Sequence, residues 1–251
     1  MRLPFLAAVS AIGLALMSAT ACSADAGKAD VRAEIARKLG IKPADVRESP
    51  VPGLWQVASG TDVGYVSADG RFYLDGDIYD MNSHANLTEA TRRASRVALL
   101  KGVRDEDAIV FAPPDGQVKY VLDVFTDVDC PYCRRLHAEI AQLNGMGVKV
   151  RYLMYPRNGP GTASWSKAKA VWCSSDRREA LTRAERGEDV VAKACADPVQ
   201  KQYQLGREIG VQGTPGIFTP AGDYIKGYMP ARAMVEYLKQ LADKDATASK
   251  G

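Results

Sequence analysis

Two cysteines two residues apart, Cys130-Pro131-Tyr132-Cys133, stand where an apolar, β-branched run gives way to a helical pattern. The run Tyr120-Val121-Leu122-Asp123-Val124-Phe125 has the composition of a buried strand, and Arg134-Arg135-Leu136-His137-Ala138-Glu139-Ile140 reads as a helix. A chain carrying this junction must bury the strand and bring the cysteines to a helix N-terminus. There, unpaired backbone N–H groups and the helix dipole favour a thiolate, the reactive form of sulfur. Arg134 and Arg135 add positive charge. The expectation is a dithiol redox centre in a thiol–disulfide oxidoreductase, with the Cys130 sulfur held ionised and reachable as nucleophile. Cys133, one turn further in, is the expected resolving thiol.

Two rival readings of the pair are a static disulfide and a zinc site. Structural zinc sites combine two closely spaced ligand couples. The remaining cysteines of the second half, Cys173 and Cys195, lie far apart and no histidine pair accompanies them, so no metal or cofactor is expected. They flank a charged helical stretch. If bonded to each other they close a loop worth about 3 kcal/mol in the chain-entropy model, and a structural role is expected, with a second redox relay as the alternative. Gly213-Thr214-Pro215-Gly216 precedes a short strand. A cis Thr214-Pro215 bond there would turn the Thr214 backbone toward Cys130 and offer its N–H and C=O to an extended substrate strand. His137 reads as a packing or surface histidine, His84 carries no signal, and Asp127 reads at least as readily as a solvated turn carboxylate as an influence on the thiol.

The chain of 251 residues has 46% apolar and 25% charged residues and a formal net charge of +3, ordinary for a soluble globular protein and too small a charge to suggest nucleic acid. Its N-terminus has the form of an export signal over residues 1–24. Arg2 precedes an uncharged run from Leu3 to Ala21, and small residues cluster from Ala19 to Ala24. A membrane anchor is the alternative, and Ala19-Thr20-Ala21-Cys22 loosely matches a lipidation site at Cys22. Setting Cys22 aside leaves four cysteines, an even number that suits an oxidising compartment.

Residues 25–86 read as a small α+β unit. Val31, Ile35 and Leu39 share a helical face that Gly40 ends, and strands follow at Leu54–Ala58, Val63–Val66 and, after an Asp69-Gly70 turn, Phe72–Leu74. Asp75-Gly76-Asp77 reads as a turn, not a calcium loop. Residues 87–104 contain a polar helix, Leu87–Lys101 with Asn86 as N-cap, expected to be a rigid spacer. From 105 to 251 strand and helix alternate: strand Val118–Phe125, helix Tyr132–Leu143, strand Val148–Met154, helices in the 164–209 region, strands Gly216–Phe218 and Tyr224–Lys226, and a helix Pro230–Leu241 before a frayed tail. Trp165 and Trp172 fall on one packed helical face. This order, strand–helix–strand with a helical insertion and then two strands and a helix, is that of a thioredoxin-like domain within an overall α+β and α/β architecture.

The segment Phe125–His137, the Gly213-Thr214-Pro215 loop and the stretch Gly64–Tyr73 together resemble the DsbC/DsbG family of bacterial periplasmic thiol:disulfide interchange proteins, over nearly the whole mature chain. The Cys173/Cys195 pair resembles the structural disulfide of the DsbC branch. Pro131 departs from that branch, which commonly has Gly there; Cys-Pro-Tyr-Cys is more like DsbG. The resemblance implies a cystatin-like dimerisation domain, linker helices as the arms of a V-shaped homodimer, and an apolar cleft for misfolded disulfide-containing proteins. It implies Cys130 and Cys133 as catalytic residues, with Pro131, Tyr132, Thr214 and Pro215 against substrate, and a DsbD-type membrane electron donor. The activities implied are disulfide isomerisation and reduction, with holdase chaperoning or protection of oxidised single cysteines as alternatives.

Overall fold

The structure, a computed structural model, describes residues 21–248, with side chains from 30 to 247. Residues 1–20, most of the expected export signal, and the side chain of Cys22 lie outside this description. The chain divides into two compact units. One comprises the chain through Val57 with Gly64–Leu74; the other comprises Ala58–Val63 and everything from Asp75 onward.

The first unit sets helix α1 (Ala21–Leu39) against a sheet ordered β1-β2-β3-β4, with β1 at Val46–Glu48, β2 at Leu54–Ser59, β3 at Asp62–Ser67 and β4 at Tyr73–Asp75. Its core is Ile35, Ala36, Val46, Trp55, Val57 and Val66. Leu39, expected on the buried face, is 41% exposed, because the packed stripe runs through Ala36 instead. Gly40 stops the helix at φ 66°, a conformation only glycine adopts cheaply. Strand β1 is too short to leave a sequence signature.

The second unit begins with α2 (Leu87–Leu100) and is built on a five-stranded sheet ordered β5-β7-β6-β8-β9. Its strands are β5 (Ile109–Phe111), β6 (Tyr120–Thr126), β7 (Val148–Met154), β8 (Gly216–Phe218) and β9 (Tyr224–Lys226). Only β6 and β7 run parallel, joined by α3 (Pro131–Ala138) and α4 (Ile140–Gly145). The insertion between β7 and β8 holds α5 (Ala163–Trp172), α6 (Arg177–Glu185) and α7 (Val199–Glu208), and α8 (Ala231–Ala248) closes the chain. Alternation along β6 assigns the two faces: Leu122 and Val124 enter the core beneath α3, α5, α6 and α8, while Phe125 enters a second core with Leu153, Ile209 and Phe218. Trp172 and Trp165 join the first core as expected.

Several elements differ from the sequence expectations, each for a local reason. The helix foreseen from Tyr132 to Leu143 breaks at Glu139, whose carboxylate accepts the N–H of Ala231 at 2.6 Å and so caps α8. Strand β5 precedes the first strand expected in this unit and is absent from the sequence expectations. Beyond α6 the charged stretch up to Cys195 is not helical. The tail does not fray at Asp243, because Asp245 pairs with Arg93 at 2.7 Å and holds the last turns of α8.

Helix α2 is not a free spacer but part of the second unit. Arg93 donates to the Ala221 carbonyl at 2.8 Å and pairs with Asp223. Arg96, 4% exposed, pairs with Glu89, donates to the Gly222 carbonyl at 3.3 Å and lies over the Tyr224 ring. A helix that docks through arginines looks polar in sequence, which is why composition suggested a solvated rod. Arg96→Ala is expected to destabilise the second unit by about 2–3 kcal/mol, from a lost cation–π contact and hydrogen bonds to a buried guanidinium. Urea unfolding followed by far-UV circular dichroism checks this, and an unchanged midpoint would contradict the docking.

Candidate active site

Cys130 is the N-cap of α3, in extended conformation (φ −92°, ψ 120°), with Pro131 at the first helical position. The turn from β6 is closed by the Cys130 N–H donating to the Asp127 carbonyl at 2.8 Å. Across from it the Thr214-Pro215 peptide is cis, and the Cys130 thiol donates to the Thr214 carbonyl at 3.2 Å. The sheet accounts for this meeting: Phe125 on β6 is paired with Gly216 on β8, so the ends of the two strands carry the dithiol and the proline loop to the same place.

The Cys130 pKa is lowered from 9.0 to about 5. The Cys133 thiol beside it is the largest cause; burial opposes, and the Thr214 hydroxyl and the N–H groups of Cys133 and Tyr132 assist. Thr214 Oγ1 is buried and, among the described residues, has no hydrogen-bond partner, which leaves its proton free to turn toward the thiolate. Cys133 is driven the other way, far above an ordinary thiol, by burial first and then by Cys130 and the carboxyl of Glu185. One sulfur is therefore an anion at neutral pH and its neighbour keeps its proton. Contrary to the expectation of an open sulfur, Cys130 is only 1% exposed, because it lies against the Thr214 carbonyl. Pro131 and Tyr132, beside it, are exposed, Tyr132 at 55%. Thr214 and Pro215 are buried.

The surroundings contain residues that sequence reasoning undervalued. Asp127 is not a solvated turn carboxylate: it is buried and accepts from Ser164 Oγ at 2.6 Å and from the Arg157 N–H and Nε at 3.0 Å each. Burial pushes its pKa up, but these bonds outweigh it and hold the carboxylate below its usual range. It thereby ties the approach to Cys130 to α5 and to the loop after β7. Its position before the cysteine motif was the only signal for it. His137 is buried between Tyr152 Oη (3.2 Å) and Thr182 Oγ1 (2.9 Å) against the edge of Phe111. Burial lowers its pKa to about 4, so it is neutral and packs, as the sequence suggested. Glu185 left no sequence signal; it is one carboxylate in a charged helix. Cys173 and Cys195 form a disulfide with Cα atoms 5.6 Å apart, joining the end of α5 to the irregular stretch after α6.

A thioredoxin-like sheet that carries a Cys-x-x-Cys pair to a helix N-terminus, with one thiol acidified and the other sheltered, defines a thiol–disulfide oxidoreductase. Residues 107–242 match the thioredoxin-like domain model, and residues 22–89 match the model of the disulfide bond isomerase protein N-terminal domain. The chain is 33% identical to the thiol:disulfide interchange protein DsbC of Escherichia coli K12, over 90% of this chain and 93% of that protein. Against DsbC of Dickeya dadantii it is 34% identical over 80% and 82% of the two chains, and against that of Haemophilus influenzae 32% over 90% and 98%. The chain belongs to the DsbC family of thiol:disulfide interchange proteins. Among solved structures it is similar to a linker-deletion variant of Proteus mirabilis ScsC, with TM-score 0.50, 21% identity and coverage of 62% of this chain and 86% of that one, a likeness of fold.

A lowered folded-state pKa stabilises the reduced protein. The contribution is complete above the ordinary thiol pKa of 9.0 and is lost as pH falls through about 5. At pH 7 it is on the order of 3 kcal/mol. Alkylation of the reduced protein by iodoacetamide is expected to follow a single titration near pH 5, with Cys133 unmodified. A midpoint near that of a free thiol would refute the electrostatic account.

Proposed function

We propose that the protein is a disulfide isomerase and reductase of misfolded exported proteins, acting through Cys130 and Cys133. The observation that carries this reading is the division of labour between the two sulfurs: an acidified thiol at the tip of α3 and a protonated one buried behind it. The Cys130 thiolate attacks a disulfide sulfur of the substrate, forms a mixed disulfide and expels the other substrate sulfur as a thiolate. When a second substrate thiol attacks the mixed disulfide, Cys130 is released and the substrate's bonds are rearranged. When none does, Cys133 attacks Cys130, and the outcome is reduction of the substrate and an oxidised Cys130–Cys133 pair. An acidic Cys130 is a good leaving group in the first exit, which favours release over a trapped adduct; in the second exit the leaving group is the substrate sulfur.

Thr214 and Pro215 form the wall against which an extended substrate segment lies, with exposed Pro131 and Tyr132 on the other side. In this reading the Thr214 carbonyl, which contacts Cys130 in the resting protein, turns to the substrate backbone. The Cys173–Cys195 bond is structural, pinning the irregular end of the insertion. Residues 25–86 serve as the pairing module of a homodimer. Support comes from the edge strand β4, where Tyr73 and Leu74 are 56% and 47% exposed, and from Phe72 just before it at 59%; an apolar edge of this kind is a template for a second chain. Residues 1–24 direct export to the periplasm, and a DsbD-type membrane donor returns electrons to the dithiol. No helix among the described residues is long and apolar enough to cross a membrane.

Cys130→Ser is expected to abolish refolding of scrambled ribonuclease, measured by recovered nuclease activity; retained activity refutes the assignment. Cys133→Ala is expected to accumulate mixed disulfides with substrate, seen as adducts on non-reducing gels and lost on reduction. Absence of adducts would remove Cys133 from the resolving role.

A further inference from the structure

Glu185 is a buried carboxyl that the exchange steps above leave without a task. It is the last residue of α6, in the helical insertion, and is 3% exposed. Its Oε1 accepts the Thr126 hydroxyl at 2.8 Å, at the end of β6. Its Oε2 is buried and, among the described residues, has no hydrogen-bond partner. A carboxyl oxygen left buried and unpaired is destabilising, so a packing role alone would be served better by an apolar residue. The insertion holds it in place: Gly187, at φ 84°, lets the chain turn away against the Arg134 guanidinium, where a Cβ would meet Nη1 at 3.3 Å.

The titratable groups that face Glu185 are Asp127 after β6, Cys130, Cys133 and Arg134 on α3, and Tyr152 on β7. Its pKa is raised from 4.5 to about 8, by burial first, with Thr126 and Arg134 opposing and Cys130 and Asp127 adding to the rise. The same Thr126 hydroxyl also borders the Cys133 sulfur and favours its thiolate. A carboxyl, a hydroxyl and a thiol whose proton must leave are thus placed in sequence behind the nucleophile.

We propose that Glu185, acting through Thr126, is the positioning residue that takes the proton from Cys133 when Cys133 resolves the mixed disulfide. This rests on the resolving role of Cys133 inferred above. In the resting dithiol burial keeps Glu185 protonated, and the Cys130 thiolate adds to the effect. Attack on a substrate disulfide spends that negative charge, since Cys130 becomes a neutral mixed disulfide and the charge leaves on the substrate thiolate. Glu185 then loses an anionic neighbour, its pKa falls, and it gives its proton to the substrate thiolate expelled in that step or to solvent. Cys133 gives up its proton toward Thr126 and Glu185, and its thiolate attacks Cys130. A Cys130–Cys133 bond forms as the Cys130–substrate bond breaks, and the electron pair departs with the substrate sulfur. The dithiol is oxidised and the substrate disulfide reduced. The proton on Glu185 passes to the departing thiolate or to solvent. Formation of the mixed disulfide is thereby the event that arms the resolving thiol, and the carboxyl sets how often an adduct ends in reduction rather than rearrangement.

The test uses the full chain, reduced, with dithiobis(nitrobenzoate), whose coloured thiolate is released once when Cys130 attacks and a second time when Cys133 resolves. In wild type both releases are expected, and the rate of the second is expected to show an inflection between pH 4.5 and about 8. Glu185→Gln copies the neutral carboxyl in shape and is expected to slow the second release at least tenfold relative to the first at pH 7 and to remove its inflection. A Glu185→Gln protein with wild-type ratio and inflection overturns the proposal. A wild-type protein that gives no second release instead overturns the resolving role of Cys133. If Glu185→Gln loses the first release too, Glu185→Asp decides: a second release with its inflection retained supports the proton-accepting carboxyl, and one without an inflection overturns it.

Discussion

The structure turns on the position of one sulfur atom, that of Cys130, between the N-terminus of α3 and the Thr214 loop. An anion there is favoured by the neighbouring Cys133 thiol, by backbone N–H groups of the first helical turn and by the Thr214 hydroxyl, against the cost of burial. None of these donors belongs to a charged side chain. They are fixed by the backbone geometry of a strand–helix junction and of a loop from the far side of the same sheet. The pairing of β6 with β8 is therefore what makes the site, because it brings residues 130 and 214 together.

Behind that sulfur the protein keeps polar groups where apolar ones would pack as well. Asp127 is fully satisfied, bonded to Ser164 and Arg157, and anchors the turn. His137 is satisfied by Tyr152 and Thr182 and is neutral. Glu185 is only half satisfied. The contrast separates structural polar groups from one suited to move a proton: the first two have no free valence at neutral pH, and the third has both an empty acceptor site and a pKa inside the working range. The helical insertion thus does more than enlarge the domain, since it supplies from α6 a buried carboxyl beside the dithiol.

Sequence periodicity located the long elements well. Strands β6 and β7, the short strand pair β8 and β9, and helix α2 with its Asn86 cap carry local signals, and they form where those signals lie. The misses share a cause. Strands β1 and β5 have three residues each and exist only because a partner strand is adjacent. The break at Glu139 and the persistence of α8 to Ala248 depend on carboxylates that meet partners distant in sequence, Ala231 and Arg93. Helix α2 docks through arginines, whose buried stems and paired heads read as solvent-facing in any hydropathy scale.

The sequence by itself determined the chemistry: the spacing of Cys130 and Cys133, their placement after an apolar strand and before a helix, and the Thr-Pro loop ahead of a strand specify a dithiol centre, because strand, turn and helix are local outcomes of local residues. Tertiary structure alone decided which groups tune that centre. It covered Cys130 with the Thr214 carbonyl, buried Asp127 against α5, and placed Glu185 behind Cys133, because electrostatic influence depends on distance and burial in space, and neither can be read along the chain.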